Sequence, residues 1–251
     1  SFFAGIPAPV LARVAVAANG ATFAAVMATP ADLEDLAYGF ALTEGLVESA
    51  AEIGSVDIRA VDEGFEALLA IPAERAAALA SRRRAFAART SCSLCGLEDL
   101  DMLLARRPAP AARRVAFDPE ALLRAMAALP TAQRLNAETH AVHAAGWVGP
   151  DGAISDVRED VGRHNALDKL IGARLRAGSE LAGGAVCLTS RCSIEMVMKA
   201  AAAGVGLIAA ASSPTEMAVR AAEAAGIVLA AGVRDGALDV YACGDRLEAA
   251  A

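Results

Sequence analysis

Apolar and polar positions alternate with a period near two at the start of the chain, then shift to a helical period, and the two regimes recur in order. Residues 10–18 and 21–27 are two short apolar runs around Asn19-Gly20, a pair that favours the positive φ values of a tight turn, so a β-hairpin is predicted. Thr29-Pro30-Ala31-Asp32 follows with an N-cap oxygen on Thr29, proline at the first helical position and an acid in the first turn. Leu33, Leu36, Ala37, Phe40 and Ala41 then share one helical face, and Glu44-Gly45 ends the helix. Strands are predicted at 55–60 and 65–71, joined by Asp62-Glu63-Gly64, after which Pro72 opens an arginine-rich helix to about residue 88. Helices at 97–105 and 118–128 flank a linker from Arg106 to Ala116.

Beyond residue 140 the texture changes. Strands at 140–147 and 154–157 flank a Gly149-Pro150-Asp151-Gly152 turn, and Gly162 starts a helix with Leu167, Leu170, Ile171 and Leu175 on one stripe. Strand 185–189, helix 193–203, strand 205–211, helix 214–225 and strand 227–231 then make a β-α-β-α-β unit, with Gly204 and Gly226 as helix stops. The fold class is therefore α/β. Ser213-Pro214-Thr215-Glu216 has the form of a capping box with Ser213 as N-cap. Right-handed crossovers place three loops, Ser190-Arg191-Cys192, Ser212-Ser213 and Gly232 to Ala237, beyond the carboxyl ends of the strands. Ligands of open α/β sheets bind at that edge, and two helix N-termini there suit phosphate.

A chain of 251 residues can bury a sizeable core. Its expected organisation is one unit over 1–251, with a hairpin and helix region at 1–89, a loop and linker at 90–113 and the α/β core at 114–251. The five cysteines are an odd number without a framework spacing, which argues for a reducing cytoplasm rather than a secreted disulfide fold. The formal charge of −7 opposes general nucleic-acid binding, although Arg82, Arg83, Arg84, Arg89, Arg106, Arg107, Arg113 and Arg114 cluster around one segment and leave room for a local anion site. The most apolar run, 200–211, is far below the roughly 20 residues of a spanning helix. No membrane segment and no signal peptide are expected.

Cys92-Ser93-Leu94-Cys95 sets two thiols three positions apart behind that arginine run. The spacing fits a redox disulfide, half a zinc site or a sulfur carrier, and does not choose among them. His140 and His143 would be the second zinc pair, but the spacing is short and positions i and i+3 of a strand point to opposite faces. A thioredoxin-like motif would follow a buried strand, and a zinc deaminase would need a His/Cys-x-Glu pair ahead of Pro-Cys-x-x-Cys; neither context is present. Nearby arginines would lower a thiol pKa and hold an anion, or merely complement a helix C-terminus. The octet Arg158-Glu159-Asp160-Val161-Gly162-Arg163-His164-Asn165 is dense in polar groups at a strand-to-helix junction. From it Arg163, His164 and Asn165 can donate to phosphate or a heteroaromatic edge, with Asp168 and Lys169 one turn further on. Cys187 suits a strand core, Cys192 lies in a predicted binding loop with its role open, and Cys243 is incidental.

Taken together, Ala28-Thr29-Pro30-Ala31-Asp32-Leu33-Glu34-Asp35, Gly39-Phe40, Thr43-Glu44-Gly45, the Cys92/Cys95 loop, the run from Glu159 to Lys169, Ser190-Arg191 with Glu195 and Lys199, and Ser212-Ser213-Pro214 resemble the formate dehydrogenase accessory sulfurtransferase family, FdhD. The resemblance covers nearly the whole chain. It implies a cytidine deaminase-like three-layer sandwich with a mixed sheet, an N-terminal α+β part, and a homodimer. By the same resemblance the protein would accept persulfide sulfur from a cysteine desulfurase and pass it to the molybdenum (or tungsten) bis(molybdopterin guanine dinucleotide) cofactor before that cofactor enters formate dehydrogenase. The cofactor is then a bound substrate, and no tightly held metal is expected. The resemblance further implies that Cys92 carries the persulfide, that Cys95 assists it or accepts a second sulfur, and that Gly232, Val233, Arg234, Asp235, Gly236 and Ala237 contact the cofactor. Where the family reads Thr-Gly-Gly-x-His-Ala-Ala the chain has Thr139-His140-Ala141-Val142-His143-Ala144-Ala145, so His143 carries over and His140 does not. Ala237 stands where the family carries a basic residue, which leaves Arg234 alone there. With Arg163, His164, Asn165, Ser190, Arg191 and Ser212 from the edge loops, these residues make up the expected cofactor site. The rival function is a chaperone that delivers the cofactor without moving sulfur, and a thiol oxidoreductase ranks third.

Overall fold

The computed structural model describes residues 8, 10–77, 115–234 and 237–248. The predicted hairpin forms: β1 (Ala12–Ala18) and β2 (Ala21–Ala28) pair antiparallel, with Asn19 at φ 47° and Gly20 at φ 79° in the turn. β3 (Ser55–Val61) and β4 (Gly64–Ala70) form a second hairpin, and β4 adds to β1 in parallel, giving the order β2-β1-β4-β3. Helix α1 (Leu33–Thr43) buries the predicted face, Leu33, Leu36, Ala37, Phe40 and Ala41, on this sheet.

The start of α1 differs from the sequence expectation. Thr29 is not its N-cap; Asp32 is, in the left-handed region at φ 53° and without a side-chain cap. A distant partner outcompetes the local cap, because the Thr29 hydroxyl accepts from the Val161 N–H at 3.2 Å and the Thr29 N–H donates to Asp160 Oδ2 at 2.8 Å.

The second sheet holds β6 (His143–Val148), β7 (Ile154–Asp160), β8 (Ala185–Arg191), β9 (Leu207–Ser212), β10 (Val228–Arg234) and β11 (Ala237–Ala242), in the order β11-β10-β9-β8-β6-β7. The three strands of the predicted β-α-β-α-β unit are parallel, and the flanking pairs are antiparallel, so the sheet is mixed. Alternate residues sort to its two faces. Val148, Ala185, Cys187, Leu207, Ala209 and Val228 pack with Phe117 and helix α2 (Pro119–Ala128). Ala145, Trp147, Val186, Leu188, Ile208 and Leu229 pack under α4 (Arg163–Arg176), α5 (Ile194–Ala202) and α6 (Glu216–Ala225), in a core continuous with α1 and the N-terminal sheet. This is the expected three-layer α/β sandwich with an α+β part attached. A short parallel pair, β5 (Val115–Ala116) and β12 (Leu247–Glu248), lies beside it. No helix among the described residues is long and apolar enough to cross a membrane.

The helix predicted at 118–128 forms, with Asp118 as its N-cap, accepting from Glu120 N at 3.0 Å and Ala121 N at 3.2 Å. Three other expectations are corrected. The N-cap of α6 is Thr215, whose hydroxyl accepts from Ala218 N at 3.2 Å; Ser213 cannot serve because Thr215 N donates to the Cys192 carbonyl at 3.1 Å, which delays the helix. His140 is not in a strand but is the left-handed residue (φ 50°) that ends a short helix, α3 (Arg134–Thr139), so β6 begins only at His143. Gly232, Val233 and Arg234 belong to β10 and Ala237 opens antiparallel β11, where it pairs with Arg234, so four of the six residues of the third edge loop are strand. Helix α3 and strand β11 have no counterpart in the pattern. The Cys92/Cys95 loop, the helix expected at 97–105 and the linker up to residue 114 lie outside the described residues, as do Asp235 and Gly236; of the arginine-rich helix, residues 73–77 are described and helical.

One contact positions everything that follows. Where α1 crosses α4, a Cβ on Gly39 would sit 1.8 Å from the Asp168 carbonyl oxygen, and one on Gly172 would sit 1.8 Å from that of Asp35. The paired glycines let the two backbones touch, which brings the C-terminal end of α1 against the middle of α4.

Candidate functional site

Topology gathers the site. β8, β9 and β10 end at one edge of the sheet; β6 runs opposite to β8 and β7 opposite to β6, so the start of β6 and the end of β7 reach that edge too. His143 pairs in register with Asp160, and Arg191 with Ser212. The junctions from β7 to α4 and from β8 to α5 therefore face each other, as ligand-binding edges of open α/β sheets do.

The polar octet divides into two groups. Arg158 donates to Asp35 Oδ2 at 2.7 Å. Glu159 caps α3, accepting from Leu135 N and Asn136 N, each at 2.9 Å. Asp160 has no exposed surface and accepts from Gly162 N at 2.8 Å, Asn165 Nδ2 at 3.1 Å and Lys169 Nζ at 2.7 Å, besides Thr29 N. Lys169 donates also to the Thr29 and Glu159 carbonyls, and Asn165 Nδ2 to the Met27 carbonyl at 2.8 Å. Asn165 and Lys169, expected to face a ligand, are thus committed to joining the N-terminal sheet to α4. That leaves Arg163 and His164.

These two meet residues from the β8–α5 junction. Arg163 Nε, His164 Nε2, Ser193 Oγ and Glu195 Oε2 are buried and have no hydrogen-bond partner among the described residues. Native folds leave few such groups, so a cluster of them is a candidate binding place. The set mixes a fixed donor, an imidazole nitrogen, a hydroxyl and a carboxylate oxygen, so it suits a polar ligand that carries both donors and acceptors. Cys192 sits beside it, and burial pushes its thiol up to about 12, with Arg163 opposing and Glu195 reinforcing the shift. Cys187 is likewise pushed up to about 12 by burial inside β8. Burial also raises the half-buried Cys243 thiol. None of these three is a ready thiolate at neutral pH.

Burial, then the Arg163 charge, lowers the pKa of both His164 and His143; Glu195 pulls His164 back in part. Both imidazoles are expected to be neutral at pH 7 and to titrate below the ordinary value of about 6.5. The unfolded chain then binds more protons, so the stability they carry is complete above about pH 6.5 and is lost as the pH falls toward their folded values. Histidine chemical-shift titration checks this, and a midpoint above 6.5 for either would contradict it.

Of the other expected residues, Ser190 is buried with its hydroxyl on the Arg191 carbonyl at 3.0 Å, while Arg191 and Ser212 are exposed at the strand ends. Gly232, at φ 74° in a bulge of β10, lies on the same edge. A separate cleft of about 500 Å³, lined by Ala31, Asp32, Arg134, Leu135, Val157, Arg158 and Glu159, shares no residue with the unpartnered cluster, and its carboxylates and Arg158 are already paired. Sequence reasoning missed Ser193 and Glu195 as site residues. The i, i+4 spacing of Glu195 with Lys199, set against that of His164 with Asp168, was the available signal.

The FdhD/NarQ family model matches residues 12–248. The sulfur carrier protein FdhD of Cupriavidus necator is 48% identical over 235 residues, which is 94% of this chain and 81% of that protein. That of Xanthomonas axonopodis pv. citri is 46% identical over 235 residues, 94% and 83% of the two chains. Among solved structures, a Desulfotalea psychrophila protein provisionally named a formate dehydrogenase accessory protein superposes with a TM-score of 0.73 at 24% identity, covering 95% of this chain and 89% of that one. At that identity the likeness is one of fold.

Proposed function

Because this chain belongs to the FdhD/NarQ family, we propose that it is a sulfur carrier serving formate dehydrogenase. Cys92 takes sulfur as a persulfide from a cysteine desulfurase and passes it to the molybdenum bis(molybdopterin guanine dinucleotide) cofactor, its substrate. The names of the relatives, sulfur carrier proteins, support the first half, and the name of the structural neighbour supports the link to formate dehydrogenase. The observation that carries the second half is the unpartnered group of Arg163, His164, Ser193 and Glu195 at the sheet edge, a built place for a polar ligand.

In the receiving step the Cys92 thiolate attacks the outer sulfur of the desulfurase persulfide. A new S–S bond forms on Cys92, the old one breaks, and the desulfurase cysteine leaves as thiolate. Burial of Cys187 and Cys192 supports giving this role to the Cys92/Cys95 pair, since neither buried thiol ionises near neutral pH. Cys95 then assists or accepts a second sulfur. Arg163 and His164, with His143, Arg191, Ser212 and the stretch from Gly232 to Ala237, bind the cofactor. Homodimeric assembly and a cytoplasmic location complete the proposal.

Incubation with a cysteine desulfurase and cysteine is expected to add one sulfur atom to the Cys92 peptide, read by mass spectrometry, and Cys92→Ala is expected to abolish activation of formate dehydrogenase in a strain lacking the native carrier. Full activation by Cys92→Ala would overturn sulfur transfer and favour a chaperone that only delivers the cofactor.

A further inference from the structure

His164 and Asp168 lie one turn apart on α4, and Glu195 and Lys199 lie one turn apart on α5, so the two helices face each other in two layers. The inner layer is closed. Lys199 Nζ donates to Asp168 Oδ2 at 2.8 Å and Oδ1 at 3.0 Å, to Glu44 Oε1 at 2.8 Å and to Thr43 Oγ1 at 3.1 Å, and Thr43 Oγ1 donates to Asp168 Oδ1 at 2.7 Å. The Lys199 side chain is 9% exposed and that of Asp168 1%. The outer layer is open, with His164 Nε2 and Glu195 Oε2 unpartnered among the described residues.

We propose that Lys199 is a positioning residue, which through Asp168, Thr43 and Glu44 sets how α4 and α5 are rotated and so holds His164 and Glu195 apart at the width of a ligand. The inference rests on assigning the outer layer to the cofactor. Its basis is that one ammonium, carried on the last turn of α5, bonds two other elements at once: the end of α1 and the middle of α4. An apolar pair of similar volume would pack between α4 and α5 at no loss of stability, and often with a gain, because a buried ion pair bears a large desolvation cost. What apolar packing does not supply is a direction, and four short donor-acceptor contacts do. Phe40 contributes a further restraint, its ring centroid 5.5 Å from Lys199 Nζ.

The charged groups that act on His164 are Arg163 on its own helix, Glu195 and Lys199 on α5, and Glu44 at the end of α1. Their pull on His164 shows that the network reaches it, and activation at an unchanged melting temperature is the readout that a merely structural role would not move. In the full-length protein the double variant Lys199→Met/Asp168→Leu is expected to keep its melting temperature. Its His164 titration midpoint should move up, since the Lys199 charge holds it down, and activation of formate dehydrogenase should fall roughly a hundredfold. A double variant with wild-type midpoint and wild-type activation would overturn the proposal. Glu44→Gln alters a partner at the solvent-reached end of the network and covers the case in which the double variant fails to fold. It should lower the His164 midpoint and reduce activation, and no change in either would likewise overturn the proposal. Lys199→Arg, whose planar fork cannot reproduce the ammonium contacts, should not rescue. If His164→Ala leaves activation intact while the double variant lowers it at an unchanged melting temperature, the cofactor assignment fails and the positioning geometry stands.

Discussion

A Gly172→Ala protein is expected to be less stable than the parent by at least about 2 kcal/mol, with a melting temperature about 4–8 °C lower. The sign is the informative part. Gly172 lies inside α4, where replacing glycine by alanine ordinarily stabilises a helix by about 1 kcal/mol. Here the new Cβ would meet the Asp35 carbonyl oxygen at 1.8 Å and the Gly39 nitrogen at 2.8 Å, and both are backbone atoms that cannot swing aside. Relief requires α1 to retreat from α4. Such a retreat carries Thr43 and Glu44 away from Asp168 and Lys199, so activation of formate dehydrogenase should weaken along with stability. Gly39→Ala forces the same separation from the other side, and combining the two should cost less than the sum. Thermal denaturation checks all three, and a Gly172→Ala protein that melts higher than the parent would mean that the helices do not cross this closely.

Lys169→Met should cost about 3–5 kcal/mol, the range for removing one member of a buried ion pair. Asp160 and Lys169 are both fully buried, 2.7 Å apart. Without the ammonium, Asp160 keeps its backbone and amide donors but loses its only cation at contact distance among the described residues, and the Thr29 and Glu159 carbonyls lose a donor. Methionine fills the volume and answers none of these groups. The loss should appear as a lower urea midpoint with an unchanged slope. Lys169→Arg should recover little, since a closed site has no room for the guanidinium fork. An unchanged midpoint for Lys169→Met would show that the pair is not what joins the N-terminal sheet to α4.

The apolar pattern was a sound guide wherever an element is held by its own face. The hairpin around Asn19-Gly20, the buried face of α1, the stripe of α4 and the β-α-β-α-β unit all formed where periodicity put them, because each face is buried as a strip. The pattern failed where the element is short or held from elsewhere. Helix α3 has six residues and owes its first turn to the Glu159 carboxylate, which is far along the chain. Strand β11 is an edge strand whose mostly exposed residues carry no inward period. At the starts of α1 and α6, Thr29 and Ser213 looked like caps; a distant carboxylate and a crossing carbonyl decided otherwise.

The order and type of most elements, the α/β class and the sheet edge where polar residues converge are written in the chain itself, since these follow from local period, turn chemistry and the handedness of crossovers. The chain also holds the Cys92/Cys95 spacing and the motifs of the family. Which polar residues of the octet Arg158 to Asn165 are spent on the fold, and which keep unpartnered atoms, is set by tertiary contacts. Nothing local distinguishes Asn165 from His164. Asp160 finds Thr29 at a separation of 131 residues, draws Asn165 and Lys169 inward with it, and leaves Arg163 Nε and His164 Nε2 without a hydrogen-bond partner among the described residues. Hydrogen bonds are short-ranged and directional, so their allocation is settled by which backbones touch, and in this protein that is settled by Gly39 against Asp168 and Gly172 against Asp35.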